Sequence, residues 1–214
     1  MSGVTSRPQA TARRKPASER LAEIIETAAA IAVAEGLDRV TAKRVAAELG
    51  VFPGLVSHYF ATADELVATA FAHAAAAERE QIFGHAVLAD RPADRIRRLL
   101  SAWLHRDRDP VSLLWLDAWQ ASRRRPALLA EVGRQMTADL ERLSAVIADG
   151  IAAGDFPVSD PGEPALQILS LIDGLSVQAA TRQTLDYAPV RAMVIATTEL
   201  LLALPPGTLT PKIS

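Results

Sequence analysis

The sequence predicts an all-α chain. Half of its 214 residues are hydrophobic while only 5% are aromatic, so Leu, Ala, Val and Ile must fill most of a sizeable core. Those residues recur at helical spacings of three and four rather than alternating as in strands. Pro and Gly punctuate the pattern into about nine segments, read as nine helices. The plan is an N-terminal three-helix bundle followed by a larger helical part.

Residues 1–17 are expected to be a flexible basic arm. Met1 to Pro16 is rich in Ser, Thr, Pro and Arg and has no apolar period, which suits either a frayed terminus or an arm reaching a DNA minor groove. Arg13, Arg14 and Lys15 lie in it. Ser18 is placed to cap the first helix, whose stripe of Leu21, Ile24, Ile25, Ala28 and Ala32 ends at Gly36.

Thr41 to Phe60 then reads as two short helices joined by a tight turn. Thr41 is a good N-cap, Val45, Ala46 and Leu49 share one face, and Gly50 suits a left-handed stop. Pro53 suits the first turn of the second helix, and Val56 and Phe60 would pack it back onto the first. Phe52, Pro53, Gly54, Ser57 and His58 are left facing outward. This is the layout of a helix-turn-helix, whose second helix enters the major groove. A helical hairpin with no nucleic-acid partner has the same pattern.

Residues 18–62 are the expected DNA-binding unit, and 63–214 the ligand-binding and dimerisation unit. Thr62 opens a long helix with Asp64 and Glu65 in its first turn, running toward Gly84. Pro92 marks the next helix, with the stripe Ile96, Leu99, Leu100, Trp103 and Leu104. Pro110 opens another, and Pro126 a very long one through Ala153, closed by Gly154. After a loop starting at Asp155 come two last helices, 163–183 and 188–204. Both are apolar on more than one side, so one face needs a partner, expected to be a second copy.

Several side chains are candidates for chemistry. Thr41, Lys43 and Arg44, with the arm's bases, could contact phosphates, although Lys and Arg on helices are usually just solvated. His58 and Tyr59 can donate to phosphates, and Ser57 can reach a base or a phosphate. Gly54 allows close backbone approach. Phe52 could touch a thymine methyl or equally pack into the core. In the larger part, Trp103, Trp115 and Trp119 are more often core than ligand cage at such spacing. His105, Asp117, Gln120, Met136 and Asp173 could fix a ligand between helices. An Asp117 or Asp173 beside a Trp would favour a cationic ligand.

The segment GVFPGLVSHYF followed by ATADEL resembles the DNA-binding domain of the TetR/AcrR-family repressors, over Ser18 to Leu66. Trp115 to Pro126 and the following helix look similar to the choline-responsive, BetI-like branch. Two positions depart: Phe52 stands where the family commonly has a capping Ser or Thr, and Ala63 where it commonly has a phosphate-gripping Lys. The resemblance implies a homodimer built through the last two helices. It also implies a near-palindromic double-stranded DNA operator and release by a small-molecule effector.

Charge and motifs exclude other classes. The net charge is −2, but residues 1–60 sum to +2 and 61–214 to −4, which tilts the positive end toward the helix-turn-helix. There are no cysteines, so disulfide scaffolds and thiolate metal sites are out and a reducing cytoplasm is expected. No apolar run approaches the roughly 20 residues of a membrane span, and no signal-peptide core is evident. No paired Glu-x-x-His, phosphate loop, H-E-x-x-H or G-x-S-x-G occurs. Neither an enzyme, nor a metal site, nor a cofactor is expected. The remaining alternative is an all-α interaction protein that keeps the helix-turn-helix shape without binding DNA.

Overall fold

The computed structural model describes residues 16–181 and 186–210. Among them are nine α-helices and three 3-10 turns, with no strand. They are α1 (Ala17–Glu35), α2 (Ala42–Leu49), α3 (Pro53–Tyr59), α4 (Ala63–Ala86) and α5 (Pro92–Trp103). Then follow α6 (Asp109–Ser122), α7 (Pro126–Ala152), α8 (Gly162–Ser176) and α9 (Ala188–Leu201). The 3-10 turns cover Leu37–Arg39, Arg106–Arg108 and Val177–Thr181.

Most starts are set by local chemistry. Thr62 caps α4 by accepting from the Glu65 N–H at 3.1 Å, while the Glu65 carboxylate accepts from Ala61 N–H at 2.8 Å, a pair of reciprocal bonds at one helix start. Pro92, Pro110 and Pro126 occupy first-turn positions, where a missing N–H costs nothing.

Four expectations on element ends need correction. Ser18 does not cap α1, because the helix begins one residue earlier and Pro16 holds the N-cap without a side-chain bond. The helix expected to run toward Gly84 continues past it to Ala86, because Ile82, Phe83 and Ala86 are still buried. The penultimate helix is α-helical only to Ser176 and then tightens into the 3-10 turn; Gln183 lies outside the described residues. The last helix ends at Leu201, and Ala203 turns left-handed at φ 51°.

Two apolar cores follow one another along α4. The first joins α1, α2 and α3 to the N-terminal half of α4, and takes in Leu114, Trp115 and Ala118 of α6 and Leu128 and Val132 of α7. The second joins the C-terminal half of α4 to α5, α7, α8 and α9. Packing therefore runs across the expected division at 62/63, and α4 is shared by both cores. One contact in the second core is unusually close. A Cβ at Gly150 would lie 2.1 Å from the Phe156 ring, so only glycine lets the loop after α7 fold its phenyl onto the helix.

Candidate functional site

The helix-turn-helix forms as its local signals direct. The Thr41 hydroxyl accepts from the Arg44 N–H at 3.1 Å. Gly50 adopts φ 65°, and the N–H groups of Gly50 and Val51 return to the carbonyls of Ala47 and Ala46, which closes α2 with a left-handed glycine. Val56 is fully buried and Phe60 nearly so, so these two anchor α3 beneath the turn.

The outer surface of this head carries Phe52, Pro53, Gly54, Ser57 and His58, all exposed, with Thr41 and Lys43 exposed beside them. Tyr59 is half-buried, edge-on to His58 with centroids 5.6 Å apart. Phe52 does not pack into the core, being 87% exposed. A short helix bearing small, polar and aromatic groups suits the width of a major groove.

Arg44 is engaged by carboxylates at the surface instead. Its guanidinium holds Glu35 of α1 at 2.5 Å and Glu48 of α2 at 2.8 Å. Those bonds raise the guanidinium further above its ordinary range and hold the Glu35 carboxyl below the usual one. Arg44 thus braces α2 against α1. Lys43 makes no ion pair among the described residues, so its ammonium remains available. Arg13, Arg14 and Lys15 lie outside the described residues.

The structure does not gather the expected ligand residues into one cage. Trp103 is buried in the second core, edge-on to Phe83 at 5.9 Å. Trp115 is buried in the first, edge-on to Phe71 at 4.9 Å, with Trp119 tilted beside it at 5.6 Å. His105 is exposed and its Nδ1 accepts from the Asp107 N–H at 3.3 Å. Asp117 accepts from the Leu37 N–H at 3.4 Å, tying α6 to the turn after α1. With Gln120 it lines a hollow of about 390 Å³ beside Arg123, Arg124 and Arg125. Met136 is exposed on α7.

Asp173 is the exception, because it belongs to a charged cluster inside the helical bundle that sequence reasoning missed. Arg108 Nε lies 2.7 Å from Glu78 Oε1, and its Nη1 donates to Ser112 at 3.0 Å and Ser176 at 3.4 Å. The Trp115 Nε1–H donates to the other Glu78 oxygen at 3.4 Å. Arg79 pairs with Asp139 at 2.5 Å and also donates to Gln135. Asp173 makes no hydrogen bond or ion pair among the described residues. The sequence did carry a signal for this cluster. Glu78 follows Phe71 by seven and Ala74 by four, so a carboxylate falls on the buried stripe of α4.

Three carboxylates, Glu78, Asp139 and Asp173, thus share two guanidiniums, Arg79 and Arg108. Burial raises all three above the ordinary carboxylate range, offset by Arg108 at Glu78 and by Arg79 at Asp139. Asp173 is pushed up to about 6 by burial, eased by Arg108 and worsened by its acidic neighbours. The cluster is one positive charge short. Glu78 and Arg108 also line a groove of about 870 Å³ between α1 and α4, walled by Ala29, Val33, Ala74 and Val111.

Comparison with known proteins places this geometry. Residues 92–203 match the C-terminal part of the BetI-type transcriptional repressors, and residues 24–70 match the bacterial regulatory proteins of the tetR family. The HTH-type transcriptional regulator BetI 2 of Chromohalobacter salexigens is 30% identical over 166 residues, covering 73% of this chain and 75% of that protein. A TetR-family regulator from Rhodococcus sp. superposes with a TM-score of 0.73 at 22% identity, over 86% of this chain and 99% of that one. A transcriptional regulator from Saccharomonospora viridis, crystallised in complex with choline, superposes with a TM-score of 0.67 at 22% identity, over 83% and 94%.

Proposed function

The chain belongs to the TetR family of transcriptional regulators, with a BetI-type C-terminal part, and from that premise we propose a repressor that a small cation releases from its operator. The observation that carries the effector class is the buried cluster lacking one positive charge, with Asp173 unpaired among the described residues and Trp115 bonded to its neighbour Glu78. A quaternary ammonium would supply that charge without needing hydrogen-bond acceptors. The choline bound to the Saccharomonospora viridis regulator supports the same chemistry.

The division into reading and sensing parts follows the charge and the helix-turn-helix, while α4 joins the two parts through a shared core. Residues 18–62 act as the DNA-binding unit, with residues 1–17 as its basic arm and 63–214 as the effector and dimer part. Lys43, His58 and Tyr59 serve as phosphate contacts, and Gly54 and Ser57 meet base edges. Among the described residues no helix is long and apolar enough to cross a membrane, which fits action on DNA in the cytoplasm.

The dimer forms through the outer faces of α8 and α9. Leu166 of α8, Val177 at the start of the 3-10 turn that follows it, and Met193 and Leu200 of α9 are exposed, with Gly174 allowing close approach. Val194 does not belong to that seam. It is fully buried in the second core, and Leu171 packs against the same core. Replacing both Leu166 and Leu200 by Glu is therefore expected to give a folded monomer in sedimentation, where the wild-type chain sediments at twice its mass. Footprinting on the DNA upstream of its own reading frame should show two equivalent half-sites about 34 Å, or a multiple of that, apart. The double variant should lose them. A wild-type monomer, or one asymmetric footprint, would overturn the symmetric reading.

A further inference from the structure

We propose that Phe52 is a specificity-determining residue that reads a thymine methyl in each half-site. This inference rests on the DNA-binding reading above. Phe52 is the most exposed large apolar side chain of the described residues, at 87%. It holds the N-cap of α3 yet offers the helix no capping bond, at a position where Ser, Thr, Asn or Asp would satisfy an orphan N–H. The chain thus forgoes a local stabilising group and leaves a large ring in water, two costs that the fold of a single copy does not recover.

Its surroundings define what the ring is suited to meet. Pro53 follows at the first helical position, and its fixed φ holds the start of α3 rigid. The backbone is anchored by the Leu55 N–H, which donates to the Phe52 carbonyl at 2.9 Å. No aromatic ring or cation of the described residues lies against the Phe52 ring. The other exposed large apolar side chains of the described residues all lie beyond α4, from Val87 to Leu200, while α3 packs on α2. Phe52 is an isolated apolar contact on a polar head that includes Ser57 and His58.

The major-groove edge of DNA offers one apolar feature, the thymine C5-methyl. N-terminal residues of a recognition helix are the ones that meet base edges there. Aromatic wedges that unstack base steps work from the minor groove, which is not where such a helix enters.

The test removes only the methyl. Operator duplexes are made with each thymine of the footprint replaced, symmetrically, by deoxyuridine, and affinities are measured for the wild-type chain and for Phe52→Ser. Burying one methyl predicts about a fourfold loss per half-site, roughly fifteenfold for the pair, at one symmetric position in the wild type. Phe52→Ser should bind thymine and deoxyuridine operators alike, with a circular-dichroism melt no lower than the wild type showing that it is folded. If no deoxyuridine position weakens the wild type, or if one weakens Phe52→Ser equally, the assignment is wrong while DNA binding stands. A wild-type chain that binds neither its upstream DNA nor any member of a random duplex pool overturns both readings.

Discussion

Replacing Arg108 by Ala is expected to destabilise the protein by about 3–5 kcal/mol at neutral pH. Its guanidinium is almost wholly buried and satisfies Glu78, Ser112 and Ser176 together. It also offsets the charge of Asp173 and Asp139. Removing it leaves three buried carboxylates with the single guanidinium of Arg79, and an uncompensated buried charge costs more than the pair contributes. Companion variants separate charge from packing. Arg108→Met together with Glu78→Gln removes the pair as a unit and should recover most of the loss, since a neutral replacement of similar volume is often tolerated. Urea unfolding at one fixed chain concentration checks both, because dimerisation links stability to concentration. A loss below about 1 kcal/mol for Arg108→Ala would mean that water reaches Glu78 freely.

Asp173→Asn is expected to have the opposite sign. The folded-state value of Asp173 is about 6 against 3.8 for the unfolded chain, so the folded state takes up the proton more readily. The stability associated with that proton is fully present below pH 3.8 and is lost as pH rises through about 6. The Asn variant has no such loss. It should be more stable than wild type by about 1–3 kcal/mol at pH 8, and the difference should vanish near pH 4. A carboxylate retained at such a cost points to function rather than folding. Equal stabilities of the two proteins at pH 8 would show that Asp173 is already neutralised in the free chain.

These two side chains mark the boundary of what the sequence reveals. The helix-turn-helix was legible because its signals act within a few residues. Thr41 meets an N–H three positions on, Gly50 reverses the chain at its own φ, and Val56 and Phe60 share a face by spacing alone. Arg44 shows where that stops, since its partner Glu35 sits on the preceding helix. The charged cluster was not legible because it is assembled by α4, α6, α7 and α8 from residues far apart in the chain, and no periodicity says which buried position of one helix faces which of another. The outward face of the last helix was not legible for a related reason. Both sides of α9 are apolar, so composition did not distinguish Val194, in the core, from Leu200, 78% exposed. Trp115 and Trp119 lie side by side as their spacing of four implies, and Trp115, edge-on to Phe71 of α4, belongs to the first core, the commoner role at such spacing.

That shared core also offers the route from effector to reading head. Glu78 and Phe71 lie on the same face of α4, seven residues apart, and the N-terminal half of α4 packs with α1, α2 and α3. Asp117 adds a second link from α6 to Leu37. A cation drawn to Asp173 would change how Arg108 divides its charge between Glu78 and its acidic neighbours, and α4 carries any resulting shift to the head. The most direct measurement is a fluorescence-anisotropy titration of operator with and without saturating choline, alongside calorimetry of choline with and without operator. Reciprocity predicts that each weakens the other by the same factor, of order 5- to 150-fold. Choline binding with equal affinity to the free and the operator-bound protein would contradict it.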